Sequence, residues 1–227
     1  AAQAGDYAGR WFDETFQRSK DPKDTEASDL RAERLWDRER AEAILAKCTG
    51  KPGIVTEESK PTTQIAPLLY DLTSLQREAN GRFGFSAKST LSLAQALYER
   101  HKVLTYPRTD ARALPEDYIP TVKQTLGALH ETQYAPFADA ILANDWVRPN
   151  KRIFNNAKIS DHFAIIPTSL APKNLSEAEA KLYDLVAKRF LSVFYPAAEF
   201  MVTTRITRVE SEPFKTEGKV MVNAGWL

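Results

Sequence analysis

Apolar residues recur at helical spacing through the middle of the chain. One helix is predicted to begin at Ser86, because serine before a helix accepts a hydrogen bond from the first turn. Further helical spacing runs from Ile119 to Leu129 and from Ala135 to Ala143. Another helix is predicted from Ser176 to Phe194, where Ser176 and Glu179 have the spacing of a capping box. The middle of the chain is therefore predicted to be mostly helical.

The stretch before this helical region has a different pattern. A charge-dense segment leads into a short helix that is predicted to end at Gly50. Ile54 and Val55 then begin a short extended piece. The polar residues that follow are predicted to form a connector, with a loop between Pro61 and Pro67.

The C-terminal stretch alternates in the manner of strands, at Phe200–Val209 and again at Gly218–Val222. Both ends of the chain are thus expected to contain β-structure. We predict one discontinuous β-containing domain formed by residues 1–65 and 195–227, interrupted by a helical domain of residues 66–194.

The composition is that of an ordinary globular protein, with 227 residues, 43% of them hydrophobic and a formal net charge of +1. Net charge therefore gives no argument for a nucleic-acid partner. Cys48 is the only cysteine, which excludes an internal disulfide framework and favours a reducing, intracellular setting. No run approaches the roughly 20 apolar residues of a membrane span, and no signal peptide is expected. Ala1 has no start-like context, so we expect a piece of a longer protein.

The segment Arg100–Arg112 combines five potentially cationic side chains with one tyrosine and one carboxylate. An unaided phenol is a weak nucleophile at neutral pH, and nearby cations favour the phenolate. Tyr106 ends a β-prone run that Pro107 stops, since proline cannot donate to a sheet. If the backbone is extended here, Arg108 leaves on the same face, and its planar guanidinium suits two phosphate oxygens. These residues predict a tyrosine suited to attack a phosphate ester.

Other interpretations of the same residues stay open at this point. Tyr106 is also typical of a half-buried tyrosine at the end of a strand, and Pro107–Asp110 of an ordinary turn. His162 follows Asp161 and precedes an apolar run, where it suits a phosphate contact, a proton relay or a structural cap. Lys158 and its basic neighbours are by default surface charges.

Several kinds of catalytic site are not supported by the sequence. The histidines His101, His130 and His162 lack the spacing of the paired-histidine metal site of a rolling-circle nuclease or a zinc hydrolase. The sequence has no phosphate-binding loop and no acidic cluster typical of a magnesium site, so no metal site is predicted in this chain. Tyr195, followed by Pro196, is the only late candidate for a tyrosine recombinase, and it lacks the required arginines and histidine.

Five motifs follow one another along the chain, at Ser59–Gln64, Leu72–Ala79, Gly84–Lys88, Tyr106–Asp110 and Asp161–Thr168. In order and in spacing they resemble the motifs of type IA DNA topoisomerases. The proline after the tyrosine points to the bacterial topoisomerase III branch. The resemblance extends from about Asp21 to Leu227.

This resemblance implies roles for individual residues. Tyr106 is expected to be the nucleophile that forms a 5′-phosphotyrosyl bond with single-stranded DNA. Arg108 is expected to hold the scissile phosphate, and His162 to assist in binding it. Further nucleic-acid contacts are expected at Lys88, Asp110, Arg112 and Lys158.

The chain departs from the family pattern at two positions. Ala111 stands where relatives commonly have serine, and the expected loss is one minor hydrogen bond. Phe163 stands where some relatives have a second histidine, which leaves His162 without that neighbour for DNA contact.

The resemblance also implies an α+β fold, in which a mostly helical, winged-helix-like domain bearing the tyrosine is inserted into a β-rich hinge domain of an arch. It implies partners in the intact protein, above all a magnesium-binding Toprim domain, which nothing in this chain matches. We therefore expect little or no cleavage by this chain alone. The resemblance also implies a cytoplasmic, nucleoid-associated location without membrane contact. The alternative hypothesis is a non-catalytic DNA-binding or interaction module with the same fold.

Overall fold

A computed structural model describes residues 5–16 and 31–227, which form two compact units. The sheet unit consists of the described residues up to 63 together with 199–223. The helical unit consists of residues 64–198 and 224–227. Each unit is therefore assembled from stretches of chain that are far apart in sequence.

The sheet has four strands among the described residues, in the order β1-β4-β3-β2. The β3–β4 pair is an antiparallel hairpin in which Thr203 lies opposite Gly218. Its turn residues, Glu210 and Ser211, have φ angles of 50° and 72°. Two consecutive left-handed residues match the right-handed twist of the flanking strands, which explains this tight connection. The strands are β1 (Arg10–Trp11), β2 (Gly53–Gln64), β3 (Ala198–Val209) and β4 (Glu212–Asn223).

The two strands predicted near the C terminus are confirmed, but the N-terminal prediction is partly wrong. Strand β2 continues through the polar connector predicted after Val55, and it ends only at Gln64. Nearly all of its residues are exposed, so it has no apolar face that a hydrophobic pattern would reveal. Polar contacts align it instead, such as the 2.8 Å hydrogen bond between the hydroxyls of Ser59 and Thr203. Pro61 is tolerated because an edge strand leaves one side of its backbone unpaired.

Helix α1 (Arg38–Cys48) confirms the helix predicted before Gly50, which has a left-handed φ of 72°. The Asp37 side chain caps its first turn by accepting the backbone N–H of Arg40 at 3.2 Å. The helix buries none of its residues. An ion pair of 2.8 Å from Lys47 to Glu212 of β4 contributes to its attachment to the sheet.

The helical unit contains five α-helices. Helices α3 to α6 confirm the four helices predicted from apolar spacing, whereas α2 was not predicted. Across the residues that the structure describes, every helix is too short or too polar to cross a bilayer. The five are α2 (Leu72–Phe83), α3 (Ala87–Glu99), α4 (Ile119–Ala128), α5 (Ala135–Ala143) and α6 (Glu177–Ser192).

Helix α3 is the element that leads into the tyrosine segment, and it packs against α2 and α6. Ser86 caps it as predicted, because its hydroxyl accepts the N–H of Ser89 at 3.1 Å. Leu97 of α3 and Phe190 of α6 are completely buried. Burying a side chain of this size contributes about 1.5–3 kcal/mol. The C-terminal end of α3 is thus fixed to the core directly before Tyr106.

Candidate active site

Tyr106 lies in a segment that runs alongside residues 162–168. Leu104 and Pro167 form an isolated antiparallel bridge, so the β-prone run before Tyr106 forms one bridge and not a strand. Thr105 donates its N–H to the carbonyl of Ile166 at 3.0 Å, and its hydroxyl accepts the Ile166 N–H at 2.9 Å. These bonds join residues that are 61 positions apart in sequence. The pairing places the motif with the histidine beside the motif with the tyrosine.

The ring of Tyr106 contacts two other rings. The His162 ring centroid lies 4.4 Å away at an interplanar angle of 47°. The Tyr98 ring lies 5.3 Å away in an edge-on arrangement at 76°. The hydroxyl of Thr109 donates to the His162 carbonyl at 2.8 Å, which fixes the histidine backbone. Two of the three residues predicted to be catalytic are therefore in direct contact.

Tyr106 lines an open groove of about 530 Å³, which we call the tyrosine groove. Lys102 on its wall has a left-handed φ of 57°. Such a conformation costs a residue with a Cβ roughly 1–2 kcal/mol. Thr168 holds it, donating its hydroxyl to the Lys102 carbonyl at 2.7 Å. The side chains that line the groove include Tyr98, Glu99, Lys102, Tyr106, Phe163 and Thr168.

Arg108 lines a second groove of about 440 Å³, which we call the arginine groove. Its guanidinium is exposed and has no ion-pair partner within residues 5–16 and 31–227. The carboxylates of this groove outnumber its cations, but Asp71 caps Ser74 at 2.6 Å and Asp110 accepts the Ser160 hydroxyl at 3.2 Å. A hydrogen-bonded carboxylate keeps its negative charge, so Arg108, the one arginine or lysine in this lining, is the residue that can attract a phosphate here. The lining includes Asp71, Arg108, Asp110, Ser160, Asp161 and His162.

Tyr106 and Arg108 thus line different grooves. A shared face was expected only for an extended backbone, and the chain bends at the buried Pro107 between them. His162 links the two grooves, because its ring contacts Tyr106 and also lines the arginine groove.

The residues expected to make further nucleic-acid contacts lie in different surroundings. Asp110 lines the arginine groove. Lys88 and Lys158 are exposed but do not belong to the lining of either groove. Arg112 is half-buried and donates its Nε–H to the carbonyl of Leu69 at 2.9 Å. Its guanidinium supports the backbone, and the four DNA contacts stay predictions.

A buried carboxylate fixes the chain shortly before Tyr106. Glu179 accepts hydrogen bonds from Arg100 and, at 3.3 Å, contacts His101. Its other oxygen accepts both the N–H and the hydroxyl of Ser176 at 2.8 Å, which confirms the predicted capping box. The backbone hydrogen bond from Ser176 is the main cause that lowers the pKa of Glu179 to about 2, against the opposing effect of burial. This network ties the end of α3 to the start of α6.

The two departures from the family pattern have simple surroundings. Ala111 is buried, and its N–H donates to the Thr109 hydroxyl at 3.0 Å. Phe163 packs against the Tyr118 ring at a centroid distance of 4.8 Å and also lines the tyrosine groove. An apolar ring therefore lies next to His162 in sequence, at the edge of the groove that holds Tyr106.

Sequence reasoning did not identify Tyr98 as a site residue. The apolar pattern grouped it with Leu97, but adjacent helical residues leave the axis about 100° apart. Only one of the two can face the core. Leu97 is fully buried and Tyr98 is 38% exposed. Two adjacent apolar residues in a helical pattern therefore indicated that one of them lies at the surface. Lys102 was counted among the cations of Arg100–Arg112 without a role of its own, and Asp71 was not singled out.

Among residues 5–16 and 31–227, no three His, Cys, Asp or Glu side chains form a group that can hold a metal ion. The three side chains predicted to be catalytic carry a phenol, an imidazole and a guanidinium.

Comparisons with known proteins match this chain to DNA topoisomerases. A family model described as DNA topoisomerase matches residues 11–227. DNA topoisomerase 3 of Bacillus subtilis (strain 168) is 45% identical over 196 residues, which cover 85% of this chain and 27% of that protein. DNA topoisomerase 3 of Bacillus licheniformis is 49% identical over 180 residues, covering 78% of this chain and 25% of that protein. The chain thus spans about a quarter of the length of these curated relatives.

A similar fold occurs in the solved structure of full-length topoisomerase I from Thermotoga maritima. The TM-score is 0.60 at 21% sequence identity, and the match covers 87% of this chain and 32% of that one. At this identity the likeness concerns the fold alone. The expected mixture of helices and sheet is confirmed.

Proposed function

The chain belongs to the family of type IA DNA topoisomerases, and on this premise we propose that it contributes the nucleophile with which the intact protein cleaves and rejoins one DNA strand. The observation that supports the proposal most is the contact between the rings of Tyr106 and His162, 4.4 Å apart, beside the groove that contains Arg108. The substrate in this proposal is single-stranded DNA.

In the proposed reaction, the phenolic oxygen of Tyr106 attacks the phosphorus of a DNA phosphodiester and loses its proton to water. A bond forms between this oxygen and phosphorus while the bond from phosphorus to the 3′ oxygen breaks, and the 3′ oxygen takes up a proton. The product is a 5′-phosphotyrosyl ester, which keeps a phosphoryl bond that the 3′-hydroxyl can attack in turn. Rejoining of the strand therefore needs no nucleotide cofactor as an energy source.

Arg108 is proposed to stabilise the negative charge that develops on the phosphate oxygens during this exchange. A guanidinium offers two parallel N–H groups to two oxygens and stays charged at all relevant pH values. Because Tyr106 and Arg108 lie on either side of Pro107, the phosphate is proposed to sit across this bend. His162 then lies next to both the phosphate and the ring of Tyr106. Lys88 and Lys158 are assigned to backbone phosphates further along the strand.

The proposal places magnesium binding in another part of the intact protein and assigns the domains of this chain to strand passage. Magnesium is assigned to a Toprim domain of the intact protein, whose partner surface is the tyrosine region. Residues 66–194 are assigned as the winged-helix-like domain, and residues 1–65 and 195–227 as the hinge of an arch that opens for strand passage. The expected location is cytoplasmic and nucleoid-associated.

The experiment mixes this chain with a Toprim-containing fragment of a topoisomerase 3, magnesium and an end-labelled single-stranded oligonucleotide. A covalent adduct that survives denaturation is the readout. A 3′ label is expected to stay with the protein and a 5′ label to be released, because the ester forms on the 5′ phosphate. Tyr106→Phe is expected to abolish the adduct, whereas the matched variant Tyr195→Phe is expected to retain it.

Two results would contradict this assignment in different ways. An adduct that persists in Tyr106→Phe means that another residue is the nucleophile. If no mixture forms an adduct, while binding of single strands is measurable and weakens with salt, the chain is instead a non-catalytic DNA-binding module.

A further inference from the structure

We propose that the tyrosine groove binds one nucleobase of the DNA strand, adjacent to the phosphate that Tyr106 attacks. Two rings, Tyr98 and Phe163, are assigned to stack on this base. Lys102 is assigned to bind the phosphate next to the base. The inference rests on the proposed function and adds a base-binding subsite to it.

The rings of the groove are accessible and held in place. Tyr98 is 38% exposed although it belongs to the well-packed helix α3. Phe163 is half-buried, and its contact with Tyr118 at 4.8 Å fixes its position. Every nucleobase has a flat π-face, so rigid exposed rings beside a DNA backbone form a stacking site without strong sequence preference. Because Tyr98 also touches Tyr106, a base on Tyr98 positions the attacking ring.

The charge of the groove favours a nucleotide over an apolar protein segment. The ammonium of Lys102 has no ion-pair partner in the part of the chain that the structure describes. A protein segment that covered the groove would take this charge out of water without a partner, which is unfavourable. A DNA phosphate supplies the partner. The carboxylate of Glu99 is the one opposing charge in the lining, and its side chain is exposed.

The backbone and size of the groove agree with a binding role. Lys102 adopts its left-handed conformation with a long charged side chain, where glycine would be free of strain. Strained residues of this kind concentrate at ligand-binding sites. The volume of about 530 Å³ lies within the range of roughly 300–1,000 Å³ that is typical of small-ligand pockets.

The test measures binding of fluorescent single-stranded oligonucleotides to the 227-residue chain by anisotropy at low salt. Tyr98→Ala is expected to weaken binding about 5- to 150-fold, the range for loss of one base–aromatic stack. Tyr98→Phe keeps the ring and is expected to restore most of the affinity. Phe137→Ala, which removes an exposed ring on α5, is the matched control and is expected to bind like the wild type.

A scan of abasic sites then identifies the stacked base. One abasic position is expected to weaken wild-type binding as much as Tyr98→Ala does, and to add no further loss in that variant. Lys102→Gly suits the left-handed backbone, so it removes the ammonium without unfolding the chain. It is expected to reduce the slope of log Kd against log salt by about 0.7, the value for one phosphate contact on a single strand.

The outcomes separate this inference from the proposed function. If Tyr98→Ala binds as well as the wild type, the subsite is overturned. The same holds if every abasic position weakens binding by Tyr98→Ala as much as it weakens binding by the wild type. Neither result affects the role of Tyr106. If Lys102→Gly leaves the salt slope unchanged, the phosphate contact is overturned. A wild-type chain that binds none of the oligonucleotides overturns the subsite together with the proposed DNA contacts of this chain, while the adduct assay still judges the nucleophile.

Discussion

Replacing Glu179 by glutamine is the sharpest test of how the fold holds the tyrosine segment. Glu179 is almost fully buried, with 3% of its surface exposed, and it connects Ser176 at the start of α6 with Arg100 and His101 at the end of α3. Glutamine keeps the size of the side chain and one capping oxygen. The substitution therefore removes mainly the negative charge.

The structure sets the expected magnitude. The pKa of Glu179 is lowered from 4.5 to about 2, first by the Ser176 backbone hydrogen bond and also by Arg100 and His101. At about 1.4 kcal/mol per pKa unit, this lowering corresponds to a ceiling of about 3 kcal/mol. The Arg100 side chain is 67% exposed, so solvent screens part of this interaction. We expect a loss of about 1–2 kcal/mol in the free energy of unfolding at neutral pH.

The pH dependence gives the sign of the effect. Because the folded pKa of Glu179 is lowered, its stabilising contribution is complete above the unfolded value of 4.5 and is lost as pH falls towards about 2. The difference in unfolding free energy between the wild type and Glu179→Gln should therefore shrink across this window. Urea unfolding followed by far-UV circular dichroism measures it, since the helical unit contributes most of the helical signal. A difference that stays constant from neutral pH to pH 2 would refute the reasoning.

Two further substitutions test local features of the helical unit by the same unfolding assay. Ser86→Ala removes the cap that accepts the Ser89 N–H, and a loss of about 1 kcal/mol is expected; an unchanged midpoint would show that the cap does not stabilise α3. Gly225→Ala places a Cβ 2.5 Å from the Pro196 carbonyl oxygen at a φ of +51°, so a loss of at least about 1 kcal/mol is expected, and a neutral result would contradict the described C-terminal turn.

The helices were predictable wherever a cap and an apolar stripe agreed. Helix α6 has both, with the Ser176 capping box and a buried face that includes Leu182 and Phe190. Helix α2 was missed because it buries only Leu75 and Ala79, too few for a stripe. The full length of strand β2 was not predicted, because polar pairing at the sheet edge, and not burial, stabilises its part after Val55.

The sequence indicated candidate site residues but not their geometry. Motifs in the sequence indicated Tyr106, Arg108 and His162, whereas their arrangement depends on pairing between segments about 60 positions apart, such as the bonds between Thr105 and Ile166. No local pattern encodes such a pairing. The bend at Pro107, which separates Tyr106 from Arg108, also depends on this context. Short motifs therefore indicate the candidate residues, whereas the arrangement of these residues depends on the fold.

The most direct test of the central claim is to locate the DNA on the protein. The adduct formed with the Toprim-containing fragment is digested with nuclease and trypsin and analysed by mass spectrometry. Trypsin cuts after Lys102 and Arg108, so the account predicts the nucleotide on the peptide Val103–Arg108, whose only tyrosine is Tyr106. A nucleotide found instead on the peptide that contains Tyr98 or Tyr195, with Val103–Arg108 unmodified, would contradict it.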